Sequence, residues 1–340
     1  MVLLRKGRRI SVRDYGIDIP VAHNKASKTL EALESHPILG QHIDKWYRES
    51  TEPRLTKADL LRVHSKDYID RLFSPDGERE IMKTFELIDE NGFTDRYKPD
   101  MAKLPLKDLV DRAIESATGT FECYKIALSE GFCFYFGGGS HHGQRDFGNG
   151  FCIINGIVVA VRKLQAEEHV KNVWIIDLDA HKGDGTAALT LDDPSVITLS
   201  IHMAKGWPLD GEEYDEQGRF NLSYTPSDID IPIDSGEEEL YNRRLEEGLA
   251  KLSQYPKPDV AVVVSGVDPY EKDELPSTAC IRLTKEHLGE RDRMVYTFLK
   301  EREIPRAYLM AGGYGKSSWE IYVQFLTWAL PQEIDFSNAS

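Results

Sequence analysis

Five short runs in this chain are apolar nearly throughout: Phe132 to Phe136, Val173 to Ile176, Val196 to Ile201, Val260 to Val264 and Ala307 to Met310. A strand with no polar alternation needs both faces out of water, which parallel sheets covered by helices provide. Helical patterns separate these runs: Leu109 to Ala127, stopped at Gly131, then about Gly156 to Glu168, Leu240 to Leu252, Lys285 to Lys300 and Ser317 to Trp328. Ahead of the first run, Leu30 and Leu33 mark a surface helix over Asn24 to Ser35, and Leu60 and Leu61 one over Thr56 to His64, capped by Thr56. The alternation predicts an α/β fold, a mostly parallel multi-stranded sheet with helices on both faces. The 340 residues could hold two domains by length, but no linker, repeat or low-complexity tract divides them, so a single domain over 1–340 is expected. The stretch from Ser74 to Pro105, with Pro75, Gly77, Gly92 and Pro99, is polar and aperiodic. It reads as a functional surface loop or lid, or as a solvated insertion.

In such sheets ligands bind outside the carboxyl ends of the strands. Each run here is followed by polar or glycine-rich residues: Gly137-Gly138-Gly139-Ser140-His141-His142, Asp177-Leu178-Asp179-Ala180-His181, Ser200-Ile201-His202, Ser265-Gly266-Val267-Asp268 and Gly312-Gly313-Tyr314. In a strand alternate side chains point the same way, so Asp177, Asp179 and His181, following Val173 to Ile176, are expected to leave on one face. The bland reading is a strand-end turn whose carboxylates cap the next helix. The chemical reading is a metal set: Asp179, His181 and Asp268 suit a divalent ion such as zinc with positions left open. His141 and His142 then supply an acid and a base, with Asp177 and Asp184 to orient them. Tyr314, on a turn open to close approach, could donate its hydroxyl to a developing oxyanion. Each motif is weak alone; their order along one rim points to amide hydrolysis.

Charge and cysteines exclude other classes. A formal net charge of −15 argues against a nucleic-acid backbone as partner and suits a solvated surface or a cationic substrate. Cys123, Cys133, Cys152 and Cys280 lack paired short spacings and read as reduced thiols. The apolar stretch at Met1 to Leu4 is too short for a signal peptide, and no run approaches the ~20 apolar residues of a membrane span. A cytoplasmic protein without membrane partners is expected; a homo-oligomer stays open.

The same residues, in the same order, resemble the zinc-dependent histone deacetylase family, with its open arginase-like α/β fold. The resemblance spans His64-Ser65-Lys66-Asp67-Tyr68, the Ser140-His141-His142 and Asp177 to Gly185 segments, Gly150-Phe151-Cys152-Ile153-Ile154-Asn155, Asp268 with Asp273 and Leu275, and Gly312-Gly313-Tyr314. It implies one zinc on Asp179, His181 and Asp268. It implies His142 as base and then acid, paired with Asp184, and His141, paired with Asp177, acting through its charge. Tyr314 would bind the substrate carbonyl, Gly150 the substrate amide, and Phe151 and Trp207 would wall a narrow tunnel with Leu275 at its rim. It also implies a structural potassium at Asp177, Asp179, His181, Ser200 and Ile201. Lys182 stands where many members have histidine and Gly143 where alanine is common; Lys182 would charge the site or face solvent. The Ser-His-His and Asp-Ala-His variants resemble the bacterial and class IV branches.

The leading reading is therefore a deacetylase releasing acetate from an acetylated lysine or an acetylated small amine. Leu275 favours lysine, since polyamine-selective members carry an acidic residue there, while Asp273-Glu274 keeps polyamines open. A binuclear manganese ureohydrolase would need carboxylates where Gly183 and Tyr270 stand. An inactive acyl-lysine binding module should have lost a ligand, a histidine or the tyrosine, and none is missing.

Overall fold

All five apolar runs form strands, and the computed structural model places them side by side in one sheet. It describes residues 1–5, 11–19, 24–89, 91 and 93–334. The strands are β1 (Val2–Leu4), β2 (Tyr47–Glu49), β3 (Phe132–Tyr135), β4 (Val173–Asp177), β5 (Val196–Met203), β6 (Ile229–Ile233), β7 (Val260–Ser265) and β8 (Arg306–Met310). Their order across the sheet is β2-β1-β3-β8-β7-β4-β5-β6, and every adjacent pair is parallel.

Period-two alternation divides the central strands between two cores. Cys133, Ile175, Val262 and Ala307 face the helices Asp108–Glu130 and Gly156–Glu167. Phe134, Trp174, Val263 and Tyr308 face the helices Tyr241–Leu252, Lys285–Glu301 and Ser318–Ala329. Each valine of β7 is fully buried and contributes on the order of 1.5–3 kcal/mol. That two-sided burial is why the runs carry no polar alternation.

Three strands escape the sequence pattern. β1 and β2 have only three residues each, too few to show a period. In β6, Pro232 removes a donor and is tolerated because β6 lies at the sheet edge. The helix expected over Thr56 to His64 is a single turn, Lys57–Leu60, held by a Thr56–Asp59 capping box. A second helix, Lys66–Leu72, starts on the Ser65 cap. The stretch 74–105 is not structureless either: it holds the helix Gly77–Thr84 and a short turn of helix at Pro99–Met101. Its Gly92 lies outside the described residues.

The strand order positions the site. From β4 the chain runs outward through β5 to β6, then returns to β7 on the other side of β4 and runs outward to β8. The topological switch therefore falls between β4 and β7, where the loops after the two strands diverge and leave a crevice.

Candidate active site

The loops after β4 and β7 carry Asp179, His181 and Asp268, whose ligand atoms all lie within 4.8 Å of one another. They do not converge by strand alternation, because β4 ends at Asp177. Two carboxylates turn the chain instead: Asp177 Oδ1 accepts from the Asp179 amide and Asp179 Oδ1 from the His181 amide, both at 3.1 Å. Asp268 Oδ1 accepts the Ala180 amide at 3.0 Å, joining the two loops. Beneath them the fully buried Arg291 donates to the carbonyls of Leu178 and Gly266, at 3.1 and 2.9 Å. No motif marks Arg291, a lone arginine on a helix. Gly312 lets the β8 loop close over the cluster, since a Cβ there would come within 2.3 Å of Asp179 Oδ2 and 2.5 Å of Asp268 Cγ.

His181 Nδ1 lies 3.1 Å from both Asp179 Oδ1 and Asp268 Oδ2. Burial opposes charge on the imidazole, but the two carboxylates outweigh it and raise His181 to about 10. Burial, then the Asp179 charge beside it, raises Asp268 to about 7. Two buried carboxylates facing one imidazole form a donor set that calls for a cation, and a divalent ion fits it. On its other side His181 Nε2 lies 3.1 Å from Ser277 Oγ. With Nε2–H donated to that hydroxyl, Nδ1 is the nitrogen left to bind a cation held between the carboxylates. Ser277 carries no motif signal in the sequence.

The tandem histidines sit in unlike surroundings. His141 Nδ1 is 2.7 Å from Asp177 Oδ2, and His142 Nδ1 is 2.6 Å from Asp184 Oδ1. For His141 burial opposes charge, yet Asp177 and Asp179 outweigh it and hold the imidazole up at about 9. For His142 burial, joined by the charge on His141, prevails and brings it down to about 4. The carboxylates thus favour charge on His141, while burial and that charge disfavour it on His142. Asp184 also accepts from Gln144 Nε2 at 2.9 Å and from Asn149 Nδ2 and Ser223 Oγ at 3.3 Å, so its carboxylate is fully oriented.

Phe151 reaches the site through strain. Asn149 and Cys152 exchange backbone hydrogen bonds around Gly150 and Phe151, whose φ values of 50° and 64° define a type I′ turn. A phenylalanine in that region costs on the order of 1 kcal/mol, and its position is fixed by the Thr84 carbonyl and by the Phe85 ring at 5.7 Å. Gly150 admits Trp207, whose Cη2 would lie 2.2 Å from a Cβ there. The Trp207 ring lies 4.5 Å from that of His142 and 5.5 Å from that of His181. Gly150, Phe151, Trp207, Leu275, His142 and Tyr314 all line one cavity of about 310 Å³. Burial, with the charges of Asp179 and Asp268, pushes the Tyr314 phenol well above its ordinary range, so it is a neutral donor.

Two expectations change. Lys182 does not face solvent: it is 5% exposed, and its Nζ lies 3.0 Å from Asp230 Oδ2 on β6. Asp273 is not a surface charge for a cationic substrate: it accepts the amides of Tyr314 at 2.7 Å and Leu275 at 2.9 Å and holds the tyrosine turn. Lys25 Nζ donates to the Ala311 carbonyl and lies 5.8 Å from the Tyr314 ring, a support no motif announced. Ser200 sits in register beside Asp177 across β4 and β5, with Ile201 next to it, and Ser200 Oγ is 2.9 Å from His202 Nδ1.

The early His64-Ser65-x-x-Tyr68 segment is scaffold for this loop. His64 Nδ1 donates to the Gln144 carbonyl at 2.9 Å, and Nε2 accepts the Asn155 amide at 3.1 Å. Tyr68 OH donates to the Ile153 carbonyl at 2.6 Å. Burial holds the His64 imidazole down at about 4. The unfolded chain, near 6.5, takes up this proton first as pH falls, so stability drops between about 6.5 and about 4 and levels off below. The expected share is about 3 kcal/mol in full, read as a falling urea midpoint over that window. A His64→Gln variant should show a shallower fall over the same range.

Residues 19–330 match the family model described as the histone deacetylase domain. The chain belongs to the histone deacetylase family. Among relatives in that family, it is 28% identical to histone deacetylase 2 of Arabidopsis thaliana over 265 residues, 77% of this chain and 62% of that protein. It is 30% identical to the acetoin utilization protein AcuC of Bacillus subtilis over 187 residues, 54% of this chain and 46% of that one. A further relative from Picosynechococcus is 31% identical over 210 residues, 62% of this chain and 65% of its own length. The chain thus spans less than two thirds of the length of these curated relatives. The crystal structure of the HDA15 HD domain has the same fold, with a TM-score of 0.64 at 17% identity over 98% of this chain and 89% of that one.

Proposed function

We propose that the chain is a single catalytic domain that hydrolyses an acetyl-lysine-type amide to acetate and a free amine, using one zinc ion. The observation that carries this reading is geometric: Asp179, His181 and Asp268 hold their ligand atoms within 4.8 Å of one another beside two adjacent histidines, each bonded through Nδ1 to its own buried carboxylate. Asp179, His181 and Asp268 would hold a divalent ion, which would supply Lewis-acid chemistry by polarising the acyl carbonyl and lowering the pKa of a water to roughly 7.

The chain's own residues supply the rest. His142 Nε2 takes the proton of the attacking water, while Asp184 on Nδ1 fixes the ring and stabilises its charged form. Tyr314 donates its hydroxyl to the carbonyl oxygen as that oxygen becomes anionic. When the C–N bond breaks, His142 returns the proton to the leaving amine. His141, charged against Asp177, adds a fixed positive potential to the site. Gly150 contacts the substrate amide, Phe151 and Trp207 enclose the acyl-bearing stem, and Leu275 forms the rim. Asp177, Asp179, His181, Ser200 and Ile201 would hold a structural potassium ion, several of them through backbone carbonyls. Its setting is the cytoplasm, in keeping with four free cysteines. Among the described residues no helix is long and apolar enough to cross a membrane.

The inward turn of Asp273 removes one argument for polyamine substrates. The test is acetate release from an acetyl-lysine peptide and from acetylated polyamines by the zinc-loaded protein. Release from lysine substrates is expected; no acetate from any substrate, with zinc demonstrably bound, overturns the reading. Ser277→Ala is expected to weaken zinc binding about 10- to 100-fold, because His181 loses the acceptor that orients it. Competition against a chelator of known affinity measures that loss, and an unchanged affinity would remove Ser277 from the site.

A further inference from the structure

Two rim residues of the catalytic cavity carry opposite charges that the hydrolysis does not use. Glu86 and Arg96 both line it, together with Leu275 and Tyr314. Their heads approach to only 3.8 Å, beyond hydrogen-bond range, and each side chain is about half exposed, 52% for Glu86 and 48% for Arg96. Among the described residues neither head makes a hydrogen bond, and the other ion-pair contact of Arg96, with Asp95, is at 3.7 Å. A pair this loose and this wet costs little to open.

Glu86 takes φ 54° as the left-handed cap that ends the helix Gly77–Thr84, with the Leu87 amide reaching back to the Met82 carbonyl, and Arg96 has φ 55°. Each is tied down nearby: the Glu86 amide bonds the Lys83 carbonyl, and the Arg96 carbonyl accepts from the Asp18 amide. The Asp95 amide bonds the Leu87 carbonyl, which keeps the two rim residues next to each other.

We propose that Glu86 and Arg96 read a zwitterion, and that the substrate class is a free Nε-acyl diamino acid such as Nε-acetyl-lysine. The α-ammonium would meet the Glu86 carboxylate, the α-carboxylate would meet the Arg96 guanidinium fork, and the stem would run past Phe151 to the acyl site. A lysine inside a peptide has neither charge at its α-carbon, and an acetylated polyamine has cations only. One acid and one base side by side at the rim complement neither of these as well. This inference rests on the deacetylase reading and deepens it.

The experiment compares kcat/KM for free Nε-acetyl-lysine, for the same compound acetylated at Nα and amidated at the carboxyl, and for N-acetylputrescine. The free compound is expected to be preferred about tenfold or more over the capped one. Arg96→Ala should lower the free-to-capped ratio about tenfold, towards one, mainly through KM, and Glu86→Gln should lower it in the same sense. Capped and free compounds turned over equally, or a ratio unmoved by both variants, would overturn the proposal, as would preference for N-acetylputrescine. Calorimetric binding of free Nε-acetyl-lysine separates this from the underlying reading. If no compound is hydrolysed but binding depends on Arg96, deacetylation fails while the zwitterion site stands. If free Nε-acetyl-lysine does not bind, the zwitterion site falls.

Discussion

Replacing His142 with alanine is expected to lower kcat by about 10³-fold while zinc stays bound. His142 is the neutral member of the histidine pair, held down at about 4 by burial and by the charge on His141. Its Nδ1 is committed to Asp184 at 2.6 Å, so Nε2 is the nitrogen left to take a proton. The residue lies outside the three-ligand cluster, and metal content should therefore not change. Because the lost interaction acts in the transition state, kcat and kcat/KM should fall together. The matching His141→Ala change should cost less, since His141 is held near about 9 and carries charge rather than accepting a proton. A loss below about threefold for His142→Ala would move the base elsewhere.

The second large effect is expected from Tyr314→Phe, which removes one hydroxyl and lowers turnover by at least ~10²-fold. The turn should survive the change. It is held through the backbone, by Asp273 accepting the Tyr314 amide at 2.7 Å and by Lys25 on the Ala311 carbonyl. Steady-state kinetics with zinc analysis decides it: near-normal turnover would take the tyrosine out of the mechanism.

Much of this site could be read from sequence because strand-end residues of a parallel sheet share one rim. The five buried runs announced themselves by lacking polar alternation, and the loops after β3, β4, β7 and β8 meet because these strands are neighbours. What stayed hidden depends on the third dimension. Asp177, Asp179 and His181 look like alternate residues of a strand, yet they converge through side-chain to amide bonds after the strand has ended. Arg291 and Ser277 act on the site from a helix and a loop remote in sequence, each through one or two hydrogen bonds. Lys182 could not be placed without β6, because its partner Asp230 lies on a strand that Pro232 disguised. The polar stretch after Ser74 reads from sequence as either a functional loop or a solvated insertion, and it supplies Phe85, which packs on Phe151, and the rim residues Glu86 and Arg96.

The central claim is that one divalent ion at Asp179, His181 and Asp268 makes this chain a deacetylase. The most direct test strips the protein with chelator and titrates zinc back while following acetate release from an acetyl-lysine substrate. Activity should be absent in the stripped protein, rise linearly and break at about one equivalent per chain, and Asp268→Ala should show no such rise. Activity that survives stripping, or a break at about two equivalents as a binuclear site requires, would contradict the account.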